Sequence, residues 1–259
     1  MKPEITDISY STSLTFELVT QYGFLTLGAP IFPSLRKESI YQTDMNAKSV
    51  LLFFQYKLSE HIIGTKASLR DDWGVPYYRF LIHPKNKNQR LELLLHLEEL
   101  NHPVYYVAPE FHTKSGLYES LMQKTVLDNS TFWSPRQIGP LVRSERNMLS
   151  YKKDSLFGIL EPEKRKVSGA IKGIGLLSEI KLKFETNKEV NDNKRLVNLG
   201  DQMLENYLKV FHSFKEKRLT SSIWKNRDLI DARDYLSLIS ILLYDCYVYI
   251  VAMEKPVWD

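Results

Sequence analysis

The strongest indication of the fold comes from two short stretches, Thr43-Asp44 and Lys48-Ser-Val-Leu-Leu-Phe-Phe-Gln55-Tyr-Lys57. Residues 50–54 are β-branched, aromatic or leucine, and the run is too short for a helix, so it predicts a buried β-strand. Side chains alternate across a strand, which puts Gln55 and Lys57 on one face and Tyr56 on the other. An adjacent strand would bring Asp44 alongside, so that a carboxylate, an amide oxygen and an ammonium group share one small volume. Such a group of side chains is typical of a site for a divalent metal and a phosphate.

This arrangement resembles the active-site signature of the restriction-endonuclease-like superfamily, the PD-(D/E)xK nucleases. It is most similar to the Mrr-type variant, which has glutamine at the first position of the last motif. The resemblance implies that Asp44 is the metal-binding acid, Gln55 the second motif position and a metal ligand, and Lys57 the catalytic lysine. It implies Mg²⁺ or Mn²⁺ as the cofactor.

Two features of the sequence bear on how far the resemblance extends. Thr43 stands where the family has proline, and Gln55 is neutral where most members carry an acid, which weakens metal binding. Members of the family often take a further carboxylate from the helix before the motif, and here Glu17 and Glu38 compete for that role. We favour Glu17 as this catalytic and metal-binding carboxylate, because its surroundings predict a helix whereas Glu38 follows Arg-Lys in a predicted loop.

The order of predicted elements supports the same fold. The sequence predicts, in order, a helix at 13–23, strands at 24–27, 40–47, 50–58 and 76–83, a helix at 88–100, a strand at 104–108, a helix at 116–126 and a strand at 147–151. Helices alternating with strands in this way indicate an α/β fold, with a mixed sheet flanked by helices. The resemblance makes it a restriction-endonuclease-like domain, whose core has the order helix, three strands, helix, strand.

The character of the sequence changes near residue 165, after which helix-forming residues dominate. We therefore predict two parts, a restriction-endonuclease-like α/β domain at 1–165 and an α-helical C-terminal domain at 166–259. The strongest predicted helix runs from Asp228 to Met253 and is apolar on all sides. A helix of that kind must be buried, so we expect it to pack against a second copy of the chain or a partner protein. Asp245 near its middle argues against a membrane span.

Composition is compatible with this reading. The chain has 259 residues, of which 43% are hydrophobic and 25% charged, and its net charge is +4, a mild excess that suits a polyanionic partner. A single cysteine, Cys246, and the lack of an apolar signal-peptide core predict a cytoplasmic location without disulfides. No nucleotide-binding P-loop, zinc signature or serine-hydrolase elbow is visible.

The sequence thus predicts a metal-dependent nuclease that cleaves nucleic-acid phosphodiesters, with DNA favoured over RNA. The family resemblance suggests bacterial genome defence or restriction as its setting, including antiviral defence. One alternative is a catalytically inactive nuclease-fold subunit that acts as a scaffold or nucleic-acid-binding component of a larger complex. Another is an unrelated α/β interaction protein in which Gln55 and Lys57 are incidental.

Overall fold

The computed structural model describes residues 1–22, 25–26, 49–64, 67–83, 89–142, 145–186, 193–211, 214–225, 227 and 230–252. Its helices are α1 (Asp7–Tyr22), α2 (Arg70–Trp73), α3 (Arg90–Glu99), α4 (Lys114–Met122), α5 (Pro135–Ile138), α6 (Gly173–Thr186), α7 (Asn193–Val210), α8 (Phe214–Lys225) and α9 (Ala232–Ile239), and a π-helical turn follows at Ser240–Tyr244. Its strands are β1 (Leu25–Thr26), β2 (Ser49–Tyr56), β3 (Glu60–Ile62), β4 (Tyr77–Leu81), β5 (Val104–Pro109), β6 (Ser130–Trp133), β7 (Met148–Tyr151), β8 (Phe157–Glu161), β9 (Arg165–Ser168) and β10 (Tyr247–Ala252). The predicted α/β class is confirmed, and so is a helical part toward the C-terminus.

The chain divides into two compact units that are each discontinuous in sequence. The first unit comprises Met1–Gly23, Gln55–Leu91 and Val104–Glu179, and the second comprises Phe24–Phe54, Glu92–Pro103 and Ile180–Asp259. Strand β2 passes from the second unit to the first between Phe54 and Gln55.

An antiparallel sheet with the order β3-β4-β7-β8-β9 forms much of the first unit. In its register Phe80 pairs with Leu149, and Leu149 pairs with Leu160. All three side chains are at most 1% exposed, so they form the apolar face of this sheet. On β9 the buried Val167 lies between the exposed Lys166 and Ser168, as alternation along a strand requires.

Strands β5 and β6 also belong to the first unit and are wholly buried. They pair antiparallel, with Tyr106 opposite Trp133. Helix α1 begins where the backbone N–H of Thr6 donates to the hydroxyl of Ser9, and that of Ser9 donates to the hydroxyl of Thr6. These reciprocal bonds satisfy N–H groups that a helix start leaves without partners. The helix therefore starts six residues before the predicted position, Ser13.

The second unit contains the antiparallel strands β1, β10 and β2, with β10 between the other two. It also holds the packed pair α7 and α9. At their contact, Gly200 of α7 leaves room for the ring of Tyr235 of α9, whose hydroxyl donates to Asp201 at 2.8 Å. The hydroxyl of Tyr244 donates to the carbonyl of Met203 at 2.9 Å, which ties the π-helical turn to α7.

Several strands and one helix match their predictions closely. These are β2, β4, β5, β7 and α3, whereas α4 ends four residues earlier than the helix predicted at 116–126. The predicted strand at 40–47 lies outside the described residues. None of the helices in the described ranges is both long and apolar enough to cross a membrane.

The prediction of one long helix from Asp228 to Met253 is wrong. Helix α9 ends at Ile239, the π-helical turn follows, and Asp245 adopts a left-handed conformation with φ 57° that ends the helical path. The chain then continues as β10, which pairs with β2 along six residues. The prediction that an all-apolar helix mediates association is therefore no longer supported, because Leu236, Ile239 and Leu243 are fully buried within this chain. A partner protein or second copy remains a prediction.

The division into 1–165 and 166–259 also differs from the structure. The predicted boundary near residue 165 lies at the hairpin formed by β8 and β9, within the first unit. The segment after residue 166 is not wholly helical, since it contains part of β9 and all of β10.

Candidate functional site

The end of β2, which carries the predicted motif, is deeply buried. All eight residues of the strand are buried, and the Gln55 side chain is 1% exposed. The backbone N–H of Lys57 donates to the carbonyl of Val107 on β5 at 2.8 Å. The ring of Tyr56 meets that of Tyr10 on α1 edge-on, with 5.4 Å between ring centroids. Strand β2 thus turns its Tyr56 side toward α1.

Lys57 has different neighbours. Its ammonium nitrogen donates to the carbonyl of Ile82 at 2.5 Å and lies 5.4 Å from the centroid of the Tyr106 ring. The Tyr106 hydroxyl is in turn 2.8 Å from Nε2 of His83, which is fully buried. The lysine therefore lies between the end of β4 and strand β5. Its partners differ from those of Tyr56, as the predicted alternation requires.

Glu17 has a structural position in α1. Its carboxylate is 2% exposed and accepts hydrogen bonds from the backbone N–H groups of Val126, at 2.6 Å, and Leu127, at 3.1 Å. Burial raises the pKa of Glu17 above its usual value, while the two backbone donors act in the opposite direction. The carboxylate thus holds the turn after α4.

The structure does not bring Glu17 to the motif in the way the resemblance implied. Helix α1 meets β2 on the Tyr56 side, through Tyr10, whereas Lys57 contacts Ile82 and Tyr106. Both oxygens of Glu17 serve backbone donors instead of converging with Gln55. Helix position alone suggested this residue, and helix position does not say which face of the strand the helix covers.

Asp44 and Glu38 lie outside the described residues. The distance between the Asp44 and Gln55 oxygens, and with it the metal site, stays a prediction. In the described part of the chain, no three or more His, Cys, Asp and Glu side chains come close enough to hold a metal ion. The predicted site joins Asp44, which lies outside the described residues, to the Gln55 amide, so this finding does not bear on it.

A second polar cluster, which the sequence did not predict, surrounds Glu110 directly after β5. The Glu110 carboxylate is buried and accepts hydrogen bonds from the Lys172 ammonium, from the Thr131 hydroxyl at 3.0 Å and from the backbone N–H of Asp154 at 3.0 Å. Lys172 is the only charged one of these donors, so the cluster is a buried ion pair with supporting hydrogen bonds. All three hydrogen bonds go to Oε1, while Oε2 is buried and has no hydrogen-bond partner among the described residues.

A cluster of three aromatic rings lies in the first unit. The centroid of the His61 ring is 4.9 Å from that of Tyr78 and 4.5 Å from that of His112, and the Tyr78 and His112 centroids are 6.4 Å apart. Burial lowers the pKa of both histidines, and the pKa of His61 is lowered further by His112. Nδ1 of His61 and Nε2 of His112 are buried and have no hydrogen-bond partner among the described residues.

The neighbours of Lys57 could be identified from the sequence only in part. Ile82 contributes a backbone carbonyl, which carries no sequence signal. His83 and Tyr106 could have been noticed, since His83 is a polar residue at the end of an apolar strand.

Comparison with known proteins adds no relative. No family model, no curated protein and no solved structure matches this chain. The structure shows an α/β protein with a lysine, Lys57, fixed at the end of a buried strand.

Proposed function

We propose that this chain is a metal-dependent nuclease that hydrolyses nucleic-acid phosphodiesters with Asp44, Gln55 and Lys57. The observation that carries the proposal is the placement of the Lys57 ammonium, directly after a buried strand and fixed by the Ile82 carbonyl. A cation held in place in a partly buried site is suited to stabilise charge on a phosphate. Helix α1 precedes β2 and helix α3 precedes β5, as in the order of elements that the sequence predicts.

Lys57 would act by electrostatic stabilisation. Its ammonium group is held by the Ile82 carbonyl, and a positive charge fixed there is suited to attract a phosphate oxygen. The Tyr106 ring limits the positions that the side chain can adopt. A cation that needs no reorganisation during the reaction stabilises the negative charge that develops on the phosphate, and it can orient the attacking water.

The donor chemistry of Asp44 and Gln55 fits Mg²⁺ or Mn²⁺, because hard cations prefer carboxylate and amide oxygens. When bound, such an ion lowers the pKa of its water and offsets charge on the phosphate. The protein would hold the Asp44 and Gln55 oxygens in position. Gln55 is only 1% exposed, and this burial limits the motion of its amide. A neutral amide in place of an acid lowers the affinity for the ion.

DNA is the favoured substrate over RNA, and genome defence or restriction is the favoured setting. Both follow from the family resemblance. The net charge of +4 is compatible with a polyanionic substrate.

The test is cleavage of plasmid DNA, single-stranded DNA and RNA by the full chain with Mg²⁺ or Mn²⁺. Asp44→Asn is expected to abolish cleavage, because it removes the negative ligand. Gln55→Glu is expected to keep cleavage and to lower the Mg²⁺ concentration needed for half-maximal rate, because it adds a negative ligand. If Gln55→Glu leaves the metal dependence unchanged, Gln55 is not a metal ligand.

The neutral Gln55 also favours a second candidate, an inactive nuclease-fold subunit that acts as a scaffold or binds nucleic acid within a larger complex. In that case neither the wild type nor Gln55→Glu cleaves any of the three substrates. Binding of nucleic acid without cleavage would then be the activity to pursue.

A further inference from the structure

Helix α8 holds an unusual share of the positive charge of this chain. It carries four basic residues and one acid, which are Lys215, Lys217, Arg218, Lys225 and Glu216. Its net charge is therefore +3, against +4 for all 259 residues. The rest of the sequence has a net charge of about +1, so this helix is one place where a polyanion would be attracted.

One face of α8 points to solvent. Lys217, Ser221, Trp224 and Lys225 follow helical spacing on one side, and all four side chains are exposed. We call these four residues the basic stripe. Thr220 and Ile223, which do not belong to the stripe, are 2% and 5% exposed, so these two residues anchor the helix. The stripe is thus presented on a fixed helix.

Trp224 is the aromatic member of the stripe and is 44% exposed. The guanidinium carbon of Arg227 lies 5.9 Å from its ring centroid, and Arg227 also pairs with Asp201 at 2.8 Å. The tryptophan therefore stands beside a cation that is itself held in place. An exposed indole next to lysines and an arginine is suited to stack on a nucleic-acid base while the cations meet phosphates.

We propose that the basic stripe of α8 binds single-stranded nucleic acid, with Lys217 and Lys225 on phosphates and Trp224 stacked on a base. The inference rests on the proposed function, since it adds a contact surface for the same substrate class. Eight residues of helix separate the two lysines by about 12 Å, or about three to four nucleotides of a stacked strand at 3.4 Å each. Bases are accessible for stacking in a single strand but not in an intact duplex, so the tryptophan favours the single strand.

The test is fluorescence anisotropy of a labelled 15-nucleotide DNA strand titrated with the full chain, in EDTA so that no cleavage occurs. The double variant Lys217→Glu/Lys225→Glu is expected to bind about tenfold more weakly, and its plot of log affinity against log salt to be shallower by about 1.4, because two phosphate contacts are lost. The matched control is Lys114→Glu/Lys124→Glu, which makes the same change in net charge at two exposed lysines of another surface. Control and wild type are expected to bind alike.

Trp224→Ala separates stacking from charge. It is expected to weaken binding of the single strand about tenfold and to leave binding of a 15-base-pair duplex nearly unchanged, since stacking needs an accessible base. If Lys217→Glu/Lys225→Glu and the control Lys114→Glu/Lys124→Glu weaken binding equally, the proposal is overturned, because the loss of affinity then reflects net charge alone. Unchanged binding in Trp224→Ala would overturn the stacking contact.

Vesicles of phosphatidylcholine with phosphatidylserine provide the competing partner, because a basic helix with an exposed tryptophan can also lie on an anionic membrane. Sedimentation of the chain with these vesicles, together with no binding of oligonucleotide, would overturn the proposal. The proposed nuclease function fails separately. A wild type that binds the strand through the stripe but cleaves nothing refutes only the nuclease, and one that cleaves while all stripe variants bind normally refutes only the stripe.

Discussion

The ammonium nitrogen of Lys57 lies 2.5 Å from the carbonyl oxygen of Ile82, so a lysine that follows β2 is fixed by backbone that follows β4. A charged donor makes a stronger hydrogen bond than a neutral one, and this bond restricts a side chain that would otherwise be mobile. The position of the cation is therefore set by the packing of the first unit.

Lys57→Met is expected to lower the free energy of unfolding by about 1 to 2 kcal/mol, because one charged hydrogen bond is lost while the aliphatic stem is kept. Urea denaturation measures this loss. A decrease above about 4 kcal/mol would instead identify Lys57 as a structural residue of the core, since such large effects mark core disruption.

Glu17→Ala is expected to lower the free energy of unfolding by about 2 to 3 kcal/mol, because two buried backbone N–H groups, of Val126 and Leu127, lose their acceptor. The matched control is Glu119→Ala on the exposed face of α4, for which a change within about 0.5 kcal/mol is expected. If Glu17→Ala has wild-type stability but no metal-dependent cleavage of nucleic acid, Glu17 is a metal ligand and not a structural residue.

Gly200→Ala tests the contact between α7 and α9. An added Cβ would lie 2.7 Å from Cε1 and 2.9 Å from Cδ1 of Tyr235, a fully buried ring, so the helices must shift. Overpacking costs about 1 to 3 kcal/mol and helix propensity returns up to about 1, so we expect a net loss near 1 kcal/mol. Gly64→Ala, where a Cβ meets no atom within 4 Å, is the control. Equal stability of the two variants would contradict this packing.

His102 is expected to make stability depend on pH. Burial lowers its pKa to about 4, and the positive charges of Arg195 and Lys183 act in the same direction. The unfolded chain binds a proton near pH 6.5, but the folded chain does so only near pH 4. The stability is therefore full above pH 6.5 and is lost as pH falls between these values, by about 2 to 3 kcal/mol.

His102→Gln removes the titrating group and is expected to flatten that decline. Denaturant titrations at several pH values between 4 and 7 provide the measurement. A variant whose stability declines with falling pH as steeply as that of the wild type would show that His102 is not responsible.

The sequence predicted strands that contain a continuous apolar run, such as residues 50–54 of β2 and 104–108 of β5, because burial on both faces favours such a run. It failed for β10, whose apolar residues directly continue those of α9. The switch between them depends on the backbone of Asp245, an aspartate at φ 57°, and no glycine marks the place. Residues 247–252 form a strand because they pair with β2, which lies about 200 residues earlier in the chain.

The candidate site was predictable only in part. The motif residues Gln55 and Lys57 could be found from their spacing, because a strand places alternate residues on one face. The carbonyl of Ile82 could not be found, since every residue has one. Nor could the place of Glu17 be predicted, because it depends on which side of β2 helix α1 covers.

The most direct test of the proposed function is the rate at which wild type, Lys57→Met and the control Lys114→Met cleave DNA in single turnover with Mg²⁺. The account predicts that wild type and Lys114→Met cleave at similar rates, that EDTA stops both, and that Lys57→Met is slower by about 100-fold or more, as expected when one fixed charge-stabilising donor is removed. Equal rates for all three proteins, or no cleavage by the wild type of any nucleic acid, would contradict it.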